Sequence, residues 1–166
     1  MNSYRAAVTG RRNRAAGEMF EKIIENACRA YSRAGIAEIE KTPEPMKPLG
    51  RHNDRGQFIA CFVKRAQPDY KGTLKGGRAV VFEAKHTDTG KMQRGAITSE
   101  QEKRLNLHET LGAECFVLVS FGMMEYFRIP WAEFRDMKEK YGRKYIEPGD
   151  VREYQIRQAE GVLQFL

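Results

Sequence analysis

Two carboxylates and a lysine stand at the ends of two predicted strands, where they could do chemistry together. Asp69 follows Pro68, and the next apolar strand ends in a Glu-x-Lys motif formed by Glu83 and Lys85. Because side chains alternate between the two faces of a strand, Glu83 and Lys85 point the same way. With Asp69 they could meet at one edge of a sheet. Such a group could bind a divalent metal and an activated water.

The candidate metal ligands are Asp69 and Glu83, because hard cations such as Mg²⁺ often take one or two carboxylates together with waters and phosphate oxygens. Glu21, on the first predicted helix, would be a third carboxylate. Lys85 could position or deprotonate an attacking water, or stabilise charge that develops on a phosphate. These residues therefore predict metal-dependent phosphodiester chemistry.

A solvated ion pair on a strand face is the alternative interpretation of Glu83 and Lys85, and such pairs contribute little to stability. A Glu-x-Lys motif is common by chance, so the motif alone favours this alternative. Asp69, one hairpin away, favours a metal site over a solvated ion pair, because two charges buried at the end of an apolar strand are costly without a ligand. Glu21 lies at the edge of an apolar helix stripe, where its own surroundings favour a solvated charge.

The elements that must position these residues follow from the hydrophobic periodicity. An apolar stripe with i, i+3, i+4, i+7 spacing predicts a helix over 14–34, which Gly35 ends. A glycine-containing turn at 75–77 joins predicted strands at 69–74 and 78–85. These two strands carry the carboxylates and the lysine.

A second helix is predicted after a polar loop at 86–97. Thr98 or Ser99 can cap it, Ser99 with Glu102 matches the capping box, and Gly112 ends it. The other predicted elements are strands at 36–39, 115–121 and 125–129, a helix from Pro130 to about Tyr141, and short strands at 154–157 and 162–166. This order predicts a single domain of all 166 residues, with a mixed α/β arrangement around one sheet.

The composition indicates a basic, globular protein. The chain has 29 Lys and Arg against 22 Asp and Glu, which is a net charge of +7. A basic surface favours polyanions, chiefly nucleic acid. No apolar run resembles a transmembrane segment or a signal peptide, so a cytoplasmic protein without a membrane partner is expected. The three widely spaced cysteines, Cys28, Cys61 and Cys115, predict buried thiols in reducing surroundings.

Positive charge is concentrated near the amino terminus. No acidic residue precedes Glu18, whereas Arg11, Arg12 and Arg14 crowd that stretch. Residues 1–13 are therefore expected to form a flexible arm that contacts phosphates. An ordinary solubilising tail is an equal alternative.

A second basic segment, at about 47–66, follows a proline-rich turn and combines cations with aromatic residues. Its periodicity does not distinguish a hairpin from a helix. Such an insertion could project from the domain and contact nucleic acid by stacking and charge. It could equally be an irregular loop that covers the core.

Pro68 and Asp69, followed by Glu83-Ala84-Lys85, match the PD-(D/E)xK nuclease signature of restriction endonucleases and several resolvases. Further matching segments occur in order over about 13–131. They are Asn13-Arg14, Gly17-x-x-Phe20-Glu21-x-x-Ile24, Gly35-Ile36-Ala37-x-Ile39, Lys41-x-Pro43-x-Pro45, Asp69-Tyr70-x-Gly72, Phe82-Glu83-Ala84-Lys85, Gln101 and Cys115-Phe116-Val117-Leu118. With this ordered set the chain resembles the RecU Holliday junction resolvases and related phage-borne enzymes.

The resemblance implies a restriction-endonuclease-like fold, in which helices flank a mixed central sheet and a stalk insertion projects from it. It implies Mg²⁺ as the cofactor, with Mn²⁺ as a substitute. Asp69 and Glu83 would be the metal ligands, and Lys85 the catalytic lysine. Glu21 would be a helix-borne catalytic acid, and Gln101 would orient water or a backbone phosphate.

The same resemblance implies the partners. RecU-like resolvases act as homodimers on four-way junction DNA, since two symmetric nicks need two sites related by a two-fold axis. Other recombination proteins are further expected partners, and the segment at about 47–66 would be the stalk that enters the junction. The candidate DNA contacts are Arg11, Arg12 and Arg14 on the arm, and Arg51, Arg55, Phe58, Phe62, Lys64 and Arg65 on the stalk.

Three functions are compatible with these residues. The leading one is a Mg²⁺-dependent endodeoxyribonuclease that resolves Holliday junctions by paired symmetric nicks in DNA recombination and repair. The second is a nuclease of the same fold that acts on linear or flap DNA. The third is a non-catalytic junction-binding recombination factor. The complete set of carboxylates and lysine argues against the third, because a pure binder need not keep it.

Overall fold

The structure is a computed structural model that describes residues 2–43, 46–50, 54–57, 59–62 and 67–166; of residues 2–12 and Phe62 it describes the backbone only. The helices are α1 (Asn2–Arg33), α2 (Ser99–Thr110), α3 (Trp131–Arg135) and α4 (Met137–Tyr141). The strands are β1 (Ala37–Lys41), β2 (Met46–Pro48), β3 (Ala60–Phe62), β4 (Tyr70–Leu74), β5 (Ala79–Thr87), β6 (Met92–Gln93), β7 (Glu114–Phe121), β8 (Glu125–Pro130), β9 (Tyr145–Ile146), β10 (Gln155–Ala159) and β11 (Val162–Gln164).

Seven of these strands form the main sheet, in the order β1-β4-β5-β7-β8-β10-β11. Neighbouring strands are antiparallel except β5 and β7, which run parallel. α2 lies in the crossover between these two strands, because parallel neighbours cannot be joined by a tight hairpin. The predicted mixed α/β arrangement, a central sheet flanked by helices, is confirmed.

Alternation along the strands assigns each side chain to one of two cores, one on each face of the main sheet. Phe20 of α1 packs in the same core as Phe82 of β5. Leu105 of α2 packs in the other core, together with Val81 of β5. Because Glu83 follows Val81 by two positions, its side chain also points toward the α2 side of the sheet.

Three stacked aromatic rings hold the register of the strands behind the motif. Tyr70, Phe82 and Phe116 lie on adjacent strands, and the centroids of successive rings are 4.8 and 4.7 Å apart. Gly72 lets β1 approach β4 closely, since a Cβ at this position would lie 2.1 Å from the carbonyl oxygen of Glu38. These contacts fix β4 beside β5 and thereby fix where the segment before β4 meets the end of β5.

The first helix is longer than the hydrophobic stripe predicts. α1 begins at Asn2, so the structure continues the helix through residues 2–13, where the charge pattern predicts a flexible arm. This stretch contains alanine and arginine, which are strong helix formers, but also Val8, Thr9 and Gly10, which are weaker ones. Residue propensity therefore does not show where the helix begins, and the predicted phosphate contacts of this segment stay a prediction.

Two further predicted elements differ in detail. The polar loop predicted at 86–97 contains β6 and a 3₁₀ turn at Arg94–Ala96, because β6 pairs with the distant strand β9. The helix predicted from Pro130 to Tyr141 is divided, since Asp136 ends α3 and begins α4. No helix in the described part of the chain is long and apolar enough to cross a membrane.

The insertion forms a separate two-stranded antiparallel sheet in which Met46 pairs with Phe62. Of the two structures left open by its periodicity, the hairpin is therefore the one observed. Three of its described apolar side chains are exposed, Met46 by 60%, Leu49 by 63% and Ile59 by 77%. Cys61 is exposed as well, so the prediction of a buried thiol is wrong there, because β3 lies outside the main sheet and its two cores. Cys28 and Cys115 are buried as predicted.

Candidate active site

Asp69, Glu83 and Lys85 meet on the α2 side of the sheet, where β4 begins and β5 nears its end. The Lys85 ammonium donates to Glu83 Oε2 at 2.8 Å and to Asp69 Oδ2 at 3.3 Å. The backbone amide of Ala84 donates to Asp69 Oδ2 at 3.1 Å. The structure thus brings together the two carboxylates and the ammonium of the motif.

The chain around Asp69 holds its carboxylate at a defined point. Pro68 is buried and fixes its own φ angle, which limits how the chain enters β4. The carbonyl oxygen of Asp69 accepts a hydrogen bond from the amide of Thr42 at 2.8 Å. Asp69 directly precedes β4, whose antiparallel partner β5 carries the rest of the motif. Strand pairing and proline together therefore place this carboxylate beside Lys85.

Glu83 is the most buried acid of the cluster. Its side chain has 0% exposure, and its Oε1 has no hydrogen-bond partner among the described residues. Burial raises the pKa of Glu83 to about 8, while the Lys85 ammonium lowers it and the Asp69 carboxylate raises it further. A buried carboxylate oxygen without a partner is costly. A bound cation would relieve that cost.

Lys85 keeps its charge although it is largely buried. Burial lowers the pKa of Lys85, but the carboxylates of Asp69 and Glu83 raise it by more, so the net shift is upward. The side chain is therefore protonated at neutral pH. It can donate hydrogen bonds and stabilise negative charge, and it is poorly suited to accept a proton.

Gln101 points its amide nitrogen at Glu83. Its Nε2 donates to Glu83 Oε2 at 2.6 Å, and its Oε1 accepts from the amide and the hydroxyl of Thr98 at 3.1 and 3.2 Å. Because Thr98 donors occupy Oε1, the nitrogen has to face the carboxylate. Thr98 and Gln101 form the capping box of α2, so the predicted box of Ser99 and Glu102 is wrong.

Thr98 is a positioning residue that the sequence predictions did not include in the site. The pattern Thr-x-x-Gln at 98–101 satisfies the capping-box rule as well as Ser-x-x-Glu at 99–102 does. The choice between them depends on Glu83, which binds the free end of the Gln101 side chain. The signal was present in the sequence, but only the contact with β5 gives it a role in the site.

Asp69 and Glu83 fit a hard divalent cation such as Mg²⁺. Both carboxylates bind the Lys85 ammonium and therefore lie close together, and among the described residues Glu83 Oε1 has no hydrogen-bond partner. Within the described residues no three Asp, Glu, His or Cys side chains converge on a single point. A cation here would therefore take two carboxylates and complete its shell with waters and phosphate oxygens, as Mg²⁺ often does.

Glu21 does not join this cluster. Its Oε2 accepts from the Lys41 ammonium at 2.7 Å, and both side chains are partly exposed. Lys41 ends β1 and pairs with Tyr70, the residue after Asp69. Glu21 is thus bound at the neighbouring strand end and makes no described contact with the carboxylate–lysine cluster. The catalytic role that the resemblance implies for Glu21 stays a prediction.

The predicted DNA-contact residues are described only in part. Arg14 is exposed on α1, and Arg55 is exposed in the segment between β2 and β3. Outside the described side chains lie Arg11, Arg12, Arg51, Phe58, Phe62, Lys64 and Arg65. The DNA contacts of all these residues stay predictions.

The chain is similar to curated proteins named Holliday junction resolvase RecU. It is 30% identical over 120 residues to that of Streptococcus sanguinis, covering 69% of this chain and 60% of the relative. It is 29% identical over 137 residues to that of Staphylococcus epidermidis, covering 78% of this chain and 63% of the relative. The chain thus spans about 60% of the length of these relatives.

A solved structure of Archaeoglobus fulgidus Hjc, a Holliday junction resolvase, matches with a TM-score of 0.49 and 14% identity, covering 82% of this chain and 92% of that chain. The family model named Recombination protein U matches residues 15–166. That match includes the motif residues, the cap of α2 and the carboxyl-terminal strands. The chain therefore belongs to the RecU family.

Proposed function

We propose that this protein is a metal-dependent, structure-selective endonuclease that resolves four-way DNA junctions by paired symmetric nicks. The observation that carries the proposal is the cluster of Asp69, Glu83 and Lys85 in a chain of the RecU family. The relatives named Holliday junction resolvase RecU support the junction as substrate.

Asp69 and Glu83 would hold Mg²⁺, with Mn²⁺ as a substitute. When bound, the ion would lower the pKa of a coordinated water and neutralise charge on the phosphate. Lys85 and Gln101 both hold Glu83 through Oε2, which leaves Oε1 as the ligand atom. Glu83 has to release any proton it carries in order to bind a metal.

Lys85 would act as a cation at the scissile phosphate. Its raised pKa keeps it protonated, which argues against the general-base role and favours stabilisation of developing negative charge. Asp69 Oδ2 and Glu83 Oε2 hold its ammonium beside the place where the two carboxylates would hold the metal. The side chain is therefore oriented toward the reacting group before DNA arrives, which avoids reorganisation during the reaction.

The β2–β3 hairpin would select the junction. It is separate from the main sheet, it exposes apolar side chains, and its second strand shortly precedes Asp69 in the sequence. A homodimer would present two cleavage sites related by a two-fold axis, as paired nicks require. Branch selection and cleavage would thus be carried by adjacent parts of the chain.

Cleavage of labelled four-way junctions, and of linear and flap DNA of the same sequence, tests this proposal. With Mg²⁺ we expect symmetric nicks confined to the junction, and no cleavage in EDTA. Equal cleavage of all substrates would indicate a nuclease without junction selectivity. Junction binding without cleavage under any metal condition would indicate a non-catalytic junction-binding protein.

Asp69→Asn is the matching variant, because it removes one ligand charge and keeps the size of the side chain. We expect it to abolish cleavage and to leave junction binding in Ca²⁺ largely unchanged. The control is Glu139→Gln, which removes one negative charge from an exposed position on α4 and should preserve both properties. A joint loss of cleavage and binding in Asp69→Asn would instead show that Asp69 has a structural role.

A further inference from the structure

A second group of basic side chains lies beside the carboxylate–lysine cluster. Lys71 of β4 pairs with Val81 of β5, whose side chain belongs to the core under α2. Directly paired residues of antiparallel strands project to the same face of the sheet. Lys71 therefore points to the α2 side, as Asp69 does two positions earlier, about 6.6 Å along the strand.

α2 completes this group with Arg104 and His108. Gln101, Arg104 and His108 are spaced i, i+3, i+7, so they share one face of the helix. Gln101 contacts Glu83, which shows that this face looks toward the candidate active site. Burial lowers the pKa of His108, and the positive charges of Lys71 and Arg104 lower it further. The three side chains therefore lie near one another. We call Lys71, Arg104 and His108 the basic patch.

The described residues compensate the positive charge of Lys71 and Arg104 only weakly, since Glu100 attracts Arg104 but forms no ion pair with it. In the part of the chain that the structure describes, none of the three members of the basic patch forms an ion pair, and Lys71 donates only to the neutral side chain of Gln67, at 2.8 Å. The acids of α2 have other partners. These pairs are Glu100 with Lys103, Glu102 with Arg94, and Glu109 with Arg135.

We propose that the basic patch binds a backbone phosphate of the DNA strand that enters the candidate active site, next to the phosphate at the carboxylate–lysine cluster. This inference rests on the proposed function. Lys71 and Arg104 carry the positive charge of the patch and repel each other, and a phosphate between them would remove that repulsion. Lysine and arginine are the side chains that position a nucleic-acid backbone in this way. The patch would thus hold the strand in register with Asp69.

The test compares Arg104→Gln with Lys103→Gln, two exposed positions of the same helix. Both variants lose one positive charge, but Lys103 already pairs with Glu100. Junction binding is measured in Ca²⁺ over a range of salt concentrations. For Arg104→Gln we expect about 3- to 10-fold weaker binding, and a slope of log K against log[salt] that is smaller by about 0.9. Lys103→Gln should stay close to the wild type in binding affinity and in salt slope.

A second variant, Lys71→Gln, removes the patch charge that comes from β4 and should weaken binding like Arg104→Gln. If Arg104→Gln and Lys71→Gln both bind like Lys103→Gln, the basic patch does not contact DNA. Inorganic phosphate is added in a parallel series. Phosphate could raise the thermal stability of the wild type but not that of Arg104→Gln, while Arg104→Gln binds DNA like the wild type. This result would assign the patch to a free anion and overturn the proposal.

The failure of this inference and the failure of the proposed function give different results. Wild-type protein that cuts junctions, with Arg104→Gln indistinguishable from Lys103→Gln, overturns only the basic-patch inference. Wild-type protein that neither binds nor cuts junctions overturns the proposed function, and the inference with it.

Discussion

Glu83 shows how one residue can exchange stability for a ligand site. It is fully buried, and within the described part of the chain only one of its carboxylate oxygens has hydrogen-bond partners. An ionised group in this position is unfavourable in the folded chain unless a cation approaches the open oxygen. Natural proteins often accept such a loss of stability at functional sites. The open oxygen is therefore better explained by ligand binding than by a contribution to folding.

The raised pKa of Glu83 predicts a pH dependence of stability in metal-free buffer. Between the ordinary glutamate value of 4.5 and about 8, the folded state holds a proton that the unfolded state has released. Stability must therefore fall as pH rises through this window. Relative to Glu83→Gln, which cannot titrate, we expect the wild type to lose on the order of 2–4 kcal/mol between about pH 5 and pH 8.

Chemical denaturation in EDTA at a series of pH values measures this difference. Glu139→Gln, exposed on α4, is the control and should follow the wild-type profile. Parallel profiles of the wild type and Glu83→Gln would contradict a raised pKa at Glu83.

At the scale of elements, the start of α2 both caps the helix and positions a side chain of the candidate site. The Thr98–Gln101 capping box satisfies backbone amides at the helix start, and it also holds the Gln101 amide against Glu83. The crossover helix is thereby coupled to the strand that carries the motif. An ordinary capping interaction becomes part of the candidate site because α2 and β5 are neighbours.

Thr98→Ala tests this assignment against the alternative box of Ser99 and Glu102. Loss of the Thr98 hydroxyl should lower the free energy of unfolding by about 1 kcal/mol, because an N-cap hydrogen bond is lost. Ser99→Ala lies one position further on and should have a much smaller effect. Thermal or chemical unfolding of both variants measures the difference. Equal losses, or a larger loss for Ser99→Ala, would disagree with the observed cap.

At the scale of the whole molecule, Tyr31 joins the first helix to the end of the chain. Its hydroxyl donates to the carbonyl oxygen of Leu163 at 2.9 Å and accepts from the amides of Phe165 and Leu166 at 2.7 and 3.2 Å. Phe165 packs against the Tyr31 ring at a centroid distance of 5.1 Å. These contacts place the carboxyl-terminal residues over the core on the α1 side of the sheet.

Tyr31→Phe should therefore destabilise the protein as a whole. The variant keeps the ring but leaves buried backbone groups of Leu163 and Phe165 without their partner, at a cost of about 1–3 kcal/mol. Tyr126→Phe is the matched control, because its hydroxyl makes one local bond to the carbonyl oxygen of Met123. Denaturant unfolding should show the larger loss for Tyr31→Phe. An equal or smaller loss would mean that the tail adds little to stability.

Much of the fold could be predicted because its signals are local. The strands that carry Asp69 and Glu83, the glycine turn between them and the apolar strand at 115–121 all follow from alternation and turn chemistry. The elements that were missed or shifted depend on distant partners. β6 exists only because β9 pairs with it, and the hairpin of the insertion appears only when β2 meets β3.

The sequence by itself determined that Glu83 and Lys85 share a face, because side-chain direction in a strand depends only on position. The tertiary structure alone decided the environment of those residues. It buries Glu83 with one oxygen that no described residue binds, and it turns Gln101 toward the other oxygen. It also pairs Glu21 with Lys41 and not with a residue of the cluster. Burial and ion pairing depend on residues far apart in the chain, and no local pattern encodes which of them meet.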